Sequence, residues 1–314
     1  MSKKIIAVLG ATGAQGGGLV RAILDDSNGE FAARAITRTR DSEKAKALEA
    51  EGVEVVEADL DNVESLTKAF EGAHGVFGVT NFWEHFSPEK EGEQARNIAD
   101  AARAAGVKHV VWSTLEDTRR QVPLEDDRMP TLMGKYKVPH FDAKGEADEY
   151  FTASGVPTTL LRTSFYWDNF VGFGMGPQRG EDGTLGITFP LGESKLSGIA
   201  AADIGPAAYG IFKRGEELVG TTVGIAGGHL SGAEMADAFT RHLGEPVRYN
   251  SIEPEVYRSF DFPAADDLGN MFQYYRDFDK EFAAIRDVDA TRELNPSLQS
   301  FDQWLEKNAE KLRG

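Results

Sequence analysis

The chain has 314 residues, enough for a large core with a smaller appended lobe. Its formal net charge of -17 argues against DNA or RNA as a direct ligand, because phosphate backbones are bound by basic surfaces. The absence of cysteine rules out disulfides and thiolate metal sites. No run approaches the ~20 apolar residues that span a bilayer and no signal peptide is recognisable, so we expect a cytoplasmic protein without a membrane partner.

Up to residue 163, short β-rich runs alternate with helical patterns. The predicted strands are Ile5–Leu9, Ala33–Thr37, Val53–Glu57, Gly75–Thr80, His109–Ser113 and Thr158–Arg162. The predicted helices are Gly17–Asp25, Ser42–Glu51, Val63–Phe70, Glu91–Ala105 and Phe141–Ser154. This alternation predicts an α/β fold with a doubly wound, parallel Rossmann sheet, and it assigns residues 1–163 to the core.

From residue 164 to residue 314 the alternation is lost, and a smaller C-terminal α+β lobe is expected. The stretch "NFVGFGMGPQRGEDGTLGITFPLG" is rich in glycine and predicts a loop. Within residues 197–245, a strand and helices are expected to return to the core. The segments that carry these predictions are the strand Thr221–Ile225, the helix Ser231–His242, the aromatic and acidic tract Pro254–Phe282 and the terminal helix Ser297–Leu312.

The first strand is followed by the glycine-rich stretch "VLGATGAQGGG". Gly10, Gly13 and Gly16 have the spacing of a dinucleotide fingerprint, and they lie between a strand and a helix, as that motif requires. Gly10 allows the tight turn, Gly13 lets backbone approach a pyrophosphate, and Gly16 allows close packing of helix and strand. The stretch therefore predicts a dinucleotide whose phosphates rest on the N–H groups at the helix start.

The end of the second strand, "AITRTRD", indicates which dinucleotide is bound. A site for NAD usually has an acidic residue here, which accepts from the ribose 2′-hydroxyl. Arg38 cannot accept, but its fork matches a 2′-phosphate, so the cofactor is predicted to be NADP(H). The alternative is a solvent-exposed arginine.

Two further strand ends supply candidate cofactor contacts. Asp59 and Leu60 follow the third strand, where they would border the adenine, although Asp59 or Asp61 could instead cap the next helix. Thr80 and Asn81 follow the fourth strand and would face the nicotinamide half.

Several segments together resemble the NmrA-like family of atypical short-chain dehydrogenase relatives, and most closely its NADP-binding redox-sensor branch. They are "GATGAQGGG", "TR" after the second strand, "VTNFWE", "STLED", "HFDAKGEADEYF" and "GVPTTLLRTSFYWDNF", with "SGIAAADIG" as a weaker continuation. The resemblance runs from residue 5 to about residue 170. It implies a Rossmann domain, a smaller lobe and NADP(H) at the strand ends.

The resemblance also implies roles for individual residues. Thr12 and Gln15 should join the three fingerprint glycines and Arg38 in contacting the cofactor. Thr80, Lys144 and the region of Tyr166 should line the nicotinamide side. Some family members act as regulators through a partner protein, whereas others, like the related reductases, transfer hydride.

The usual dehydrogenase pair of a tyrosine four residues before a lysine is absent, because His140 stands at that distance from Lys144. Residues four apart share a helix face, so both are candidate acid–base groups. Without the usual acid, the sequence favours an NADP(H)-binding redox sensor or regulator, with a regulatory protein partner and a homodimer as further expectations. The alternative is an NADPH-dependent reductase of a small carbonyl or quinone that uses Lys144. The scattered histidines predict no metal site.

Overall fold

A computed structural model describes residues 2–313. Its strands are β1 (Lys4–Val8), β2 (Phe31–Thr37), β3 (Glu54–Glu57), β4 (Gly75–Gly78), β5 (His109–Thr114), β6 (Thr158–Arg162), β7 (Phe165–Tyr166), β8 (Gln178–Arg179), β9 (Leu185–Phe189), β10 (Lys195–Ile199), β11 (Thr222–Gly224), β12 (Gly228–Ser231) and β13 (Val247–Ser251). Its helices are α1 (Ala14–Asp25), α2 (Glu43–Ala50), α3 (Val63–Phe70), α4 (Pro88–Ala104), α5 (Pro139–Ser154), α6 (Asn169–Gly172), α7 (Ala201–Arg214), α8 (Gly232–Leu243), α9 (Pro254–Arg258), α10 (Ala265–Asp277), α11 (Asp279–Ala284), α12 (Val288–Leu294) and α13 (Phe301–Leu312).

The central sheet has seven parallel strands in the order β11-β6-β5-β4-β1-β2-β3, which confirms the predicted Rossmann fold. Strands β4 and β5 are buried along their whole length, because helices cover both faces of the sheet. One face packs against α1 and α7, and the other packs against α3, α4 and α5. The order reverses between β1 and β4, so the crevice at their carboxyl ends is where such folds bind ligands.

Helix α7 lies against α1 through contacts that only glycine permits. A Cβ on Gly18 would lie 2.9 Å from the carbonyl oxygen of Ala202, and a Cβ on Gly205 would collide with the backbone nitrogen of Leu19. The extra glycines after the fingerprint thus serve helix packing. The sequence did not locate α7, because Gly205 and Pro206 read as helix breakers.

The C-terminal lobe contains two three-stranded sheets, β12-β10-β7 and β13-β9-β8. The prediction of a loop in the glycine-rich segment was wrong for β8 and β9. Leu185, Ile187 and Phe189 are buried in β9, and Gly183, at φ +80°, turns the chain back from β8. The aromatic tract forms α9, α10 and α11, whose buried rings belong to the lobe core.

Several predicted boundaries were displaced by helix caps. Helix α4 begins at Pro88 and not at residue 91, because the Ser87 side chain accepts the N–H of Lys90 and proline is favourable in the first turn. Helix α13 begins at Phe301, since Ser300 forms a capping box with Gln303. None of the helices within residues 2–313 combines the length and apolarity that crossing a membrane requires.

The α1–α7 contact predicts a strong effect of one methyl group. We expect Gly205→Ala to lower the free energy of unfolding by about 1–3 kcal/mol or more, because the helices must separate. The matched control is Gly92→Ala in α4, where the nearest atom to a new Cβ is 3.6 Å away. Alanine should be neutral or stabilising there. Urea unfolding of both variants tests this, and equal stability of the two would contradict the close packing.

Candidate functional site

The start of α1 forms a backbone cradle at the carboxyl end of β1. Gly10 has φ +61°, and a Cβ on Gly16 would lie 2.5 Å from the carbonyl oxygen of Gly10. Gly13 caps α1 without any side-chain hydrogen bond, so the first N–H groups of the helix lack a side-chain partner. These residues fit a pyrophosphate, because bare N–H groups at the positive helix end bind anions.

Gln15 joins the cradle to the neighbouring strand ends. The Ser113 hydroxyl donates to Gln15 Oε1 at 2.7 Å, and Gln15 Nε2 donates to the Tyr166 hydroxyl at 2.7 Å. Thr163 Oγ1 lies 3.4 Å from the same Tyr166 oxygen. Burial raises the pKa of Tyr166 to about 12, so its hydroxyl keeps its proton at neutral pH. Thr12, within the cradle, is half-buried, and its carbonyl accepts from Lys44 at 3.4 Å.

Arg38 forms a two-pronged ion pair with Glu84, a residue of the turn that follows β4. The two N···O distances are 2.6 and 2.9 Å, and Asn81 Nδ2 also donates to Glu84 at 3.1 Å. The pair joins the end of β2 to the end of β4 across the end of β1. Because both side chains are largely exposed, the pair contributes little stability and can exchange for another anion.

Asp59 and Leu60 lie in the turn after β3. The Asp59 carboxylate accepts the backbone N–H of Asp61 at 3.0 Å, and the carbonyl of Leu60 accepts from Asn97. The expectation that Asp59 or Asp61 caps α3 was wrong, since Asn62 accepts the N–H of Ser65.

Lys144 is held by two partners where β4 ends. Its Nζ lies 2.7 Å from Glu91 Oε1 and donates to Thr80 Oγ1 at 2.8 Å, while the Thr80 hydroxyl donates to the same carboxylate at 2.5 Å. Glu91 is fully buried. Although burial opposes its charge, Lys144 and further hydrogen bonds lower the pKa of Glu91 to about 2. The site therefore contains a buried ammonium–carboxylate pair.

Sequence reasoning identified Lys144 and Thr80 but missed Glu91. A signal was present, because Glu91 falls on the apolar stripe of α4 with Ala95, Ile98 and Ala102. A carboxylate on a buried stripe needs a cationic partner. His85 also lies beside this carboxylate, with its Nε2 3.3 Å from Glu91 Oε2 and its Nδ1 accepting the N–H of Ser87 at 3.1 Å.

His140 lies one turn before Lys144 but belongs to a different network. Its Nδ1 is 2.7 Å from Asp267 Oδ1 on α10, and its ring lies 4.7 Å from that of Trp83. His140 therefore joins the core to the C-terminal lobe.

A second contact between the lobe and the core lies near Tyr166. Arg286 donates to both oxygens of Glu116, at 2.7 and 2.9 Å, and to the carbonyl of Thr163. The ion pair is buried, so removal of either partner would leave an uncompensated charge.

The predicted site residues thus form three groups. The cradle with Gln15 and Tyr166, the pair of Arg38 with Glu84, and Lys144 with Thr80 all lie at the carboxyl ends of adjacent strands. Asp59 and Leu60 lie further out, and His140 faces the lobe. Within residues 2–313, no cluster of three or more histidine or acidic residues could hold a metal ion.

The parallel sheet and the glycine cradle are typical of the Rossmann class of dinucleotide-binding proteins. The chain belongs to the NmrA-like family, whose sequence profile matches residues 2–305. It is 31% identical to the NmrA-like family domain-containing oxidoreductase FrzB of Cladobotryum sp, over 86% of this chain and 83% of that protein. It is 32% identical to an NAD(P)H azoreductase of Xenophilus azovorans, over 80% and 78% of the two chains.

Two solved structures show the same fold. The structure of NmrA, a negative transcriptional regulator, has a TM-score of 0.79 and 25% identity over 97% of this chain and 95% of its own. The Citrobacter sp. triphenylmethane reductase complexed with NADP(H) has a TM-score of 0.75 and 24% identity, over 97% and 99%. The solved proteins of similar fold thus include a regulator and a reductase.

The buried pair predicts a defined dependence of stability on pH. The pKa of Glu91 is lower in the folded state than its ordinary value of 4.5, so its contribution is complete above about pH 5 and is lost as the pH falls toward 2. The contribution is on the order of 3 kcal/mol. We expect Glu91→Gln to be less stable than the unmodified protein at pH 7, with the difference shrinking between pH 5 and pH 2. Urea unfolding at several pH values tests this, and a constant difference would contradict it.

Proposed function

We propose that this protein is an NADP(H)-dependent oxidoreductase that reduces a small carbonyl or quinone. The observation that carries this proposal is the position of Lys144, whose ammonium group is fixed by Glu91 and Thr80 where β4 ends. Strands β1 and β4 are neighbours, so this ammonium and the phosphate cradle belong to one crevice.

The cofactor would be held by backbone N–H groups and by the guanidinium group of Arg38. The N–H groups at the start of α1 would receive the pyrophosphate, with Gly10, Gly13 and Gly16 keeping the approach open. Arg38 would exchange Glu84 for the 2′-phosphate, with Asp59 and Leu60 on the adenine side. Thr80, Asn81 and Tyr166 would lie on the nicotinamide side.

The bound cofactor supplies hydride, and the chain must supply a proton to the substrate oxygen. Lys144 Nζ is a candidate donor, because its ammonium carries protons and is largely shielded from water. Glu91 and Thr80 orient it, and the buried carboxylate offsets the cost of keeping the ammonium there. His140, bonded to Asp267, is the weaker candidate for this role.

The comparisons support a reductase in two respects. Two relatives that share more than 30% identity with this chain are named as an oxidoreductase and as an azoreductase. The triphenylmethane reductase of similar fold was solved with NADP(H). The buried Glu91, which fixes the Lys144 ammonium, favours the reductase over the sensor that the sequence alone favours.

A redox sensor is the second candidate, and the Arg38–Glu84 pair favours it. If Arg38 exchanged Glu84 for a 2′-phosphate, the turn after β4 would be released. This turn also contains Trp83, which packs on His140 next to the lobe. The cofactor would in this way change the shape that a regulatory protein partner meets. The segments expected to move are the loop "RTRD" and residues 172–192.

Turnover distinguishes the two candidates. We expect the protein to oxidise NADPH when menadione or another quinone is added, and Lys144→Ala to lower kcat at least about 100-fold, as removal of a general acid typically does. Lys68→Ala, an exposed lysine on α3, is the matched control and should retain activity. Absorbance of the reduced nicotinamide measures the rate. NADPH binding without oxidation of NADPH by any quinone would support the sensor and reject the reductase.

Arg38 predicts cofactor selectivity. A charge-assisted fork to phosphate contributes about 1.5–3 kcal/mol, so Arg38→Ala should weaken NADPH binding about 10- to 100-fold and leave NADH nearly unchanged. Arg40→Ala is the control, because Arg40 pairs with Glu49 and should leave selectivity intact. Calorimetric titration measures both cofactors. Equal losses for NADPH and NADH would mean that Arg38 does not contact the 2′-phosphate.

A further inference from the structure

Three residues with unfavourable backbone geometry line one small cavity. Within residues 2–313, the non-glycine residues with positive φ are Phe86 (+53°), Met133 (+48°) and Ala264 (+64°). They come from three segments that are distant in the chain, and all three line the same cavity of about 140 Å³. Such geometry is disfavoured for side chains larger than glycine, and it concentrates where a fold clamps a ligand.

The cavity wall is apolar and acidic. Phe82, Leu132 and Pro139 contribute apolar surface, and the rim side chains Phe86 and Met133 are 44% and 60% exposed. Large apolar side chains on a rim cost solvation and often mark a binding surface. The remaining lining residues, Asp266 and Asp267, are acidic, and no lysine, arginine or histidine lines the cavity.

The two carboxylates differ in what they can still bind. Asp267 is buried and already bonded to His140 at 2.7 Å. Asp266 is exposed. Within residues 2–313, its carboxylate accepts only one hydrogen bond, a local one from the backbone N–H of Asp267 at 2.9 Å. Asp266 therefore leaves a negative charge at the mouth of an apolar cavity.

Two residues of the cavity wall contact His140: Asp267 Oδ1 lies 2.7 Å from its Nδ1, and the Phe82 ring lies 6.0 Å from its ring. Phe82 follows Thr80 by two residues, and Pro139 begins the helix that carries Lys144. His140 lies in the first turn of α5, one helical turn before Lys144. A ligand in the cavity would therefore lie against the two residues that contact His140.

We propose that this cavity binds an aromatic ring of the substrate whose positively charged substituent pairs with Asp266. The proposal rests on the reductase function and names its substrate class as aromatic cations. The volume suits one ring, since an apolar cavity of about 150 Å³ holds benzene. The two carboxylates of the cavity favour a positively charged substituent, because they would repel an anion.

The test uses three probes of one shape and different charge: benzamidinium, benzamide and benzoate. Calorimetric titration of the full chain should give benzamidinium at least tenfold tighter binding than benzamide, and no detectable benzoate binding. Asp266→Asn should reduce benzamidinium to the level of benzamide. Equal binding of the three probes, or benzamidinium binding that Asp266→Asn leaves unchanged, would overturn the proposal.

A second variant separates ligand binding from folding. Phe86→Gly removes the rim ring and relieves the positive φ, so its melting temperature should be unchanged or higher while benzamidinium binding falls at least tenfold. Phe173→Gly is the control, because Phe173 is also exposed, at 67%, and does not line this cavity. Phe86→Gly with unaltered benzamidinium binding would overturn the proposal.

These titrations need neither NADPH nor turnover. The proposed ligand of the cavity and the proposed reductase function can therefore be rejected independently. Weak, charge-independent probe binding together with quinone reduction would reject the cavity and leave the reductase intact. Charge-selective probe binding without any NADPH oxidation would reject the reductase, and with it the assignment of the cavity's ligand as a substrate.

Discussion

Around the start of α1, backbone packs directly on backbone, both at the end of β1 and at α7. Gly16 lets the helix lie against the end of β1, while Gly18 and Gly205 let α7 lie against the other side of the same helix. A Cβ at Gly16 would push α1 away from the end of β1, and a Cβ at Gly18 or Gly205 would separate α1 from α7. Because Gly13 at the helix cap has no side chain, the first N–H groups of α1 also lack a side-chain cap. One local requirement thus serves both the packing of the core and the binding of phosphate.

The second organising feature is electrostatic. A carboxylate as deeply buried as Glu91 persists only with a cation and hydrogen-bond donors beside it, and Lys144 and Thr80 provide them. The pair joins α4, α5 and the end of β4, so its geometry is fixed by three elements of the core. The lobe contributes separately, through Asp267 on His140 and Arg286 on Glu116. The chemistry is thereby held by the core, whereas the lobe shapes the approach to it.

The sequence was sufficient to predict elements whose signals are local. The strands of the Rossmann core are short apolar runs between helices that end in glycine, and the fingerprint lies where a strand meets a helix. Strand β9 was missed, and the helices expected within residues 197–245 were not given the bounds of α7, because Gly205, Pro206 and the glycines before Leu185 resemble loop residues when their close contacts are unknown. The partners Glu84, Glu91 and Asp267 were missed for another reason. Their partners are Arg38, Lys144 and His140, respectively, and the two members of each pair are 46 to 127 residues apart in the chain. No rule of sequence spacing relates residues at such separations.

The most direct test of the account is calorimetric titration of the unmodified protein with NADPH and, separately, with NADH. We expect NADPH to bind at least tenfold more tightly than NADH, because Arg38 would contact the 2′-phosphate that NADH lacks, whereas the glycine cradle would bind the pyrophosphate of both. If neither cofactor bound, the cradle at the start of α1 would hold no dinucleotide, and the proposed NADP(H)-dependent function would be rejected.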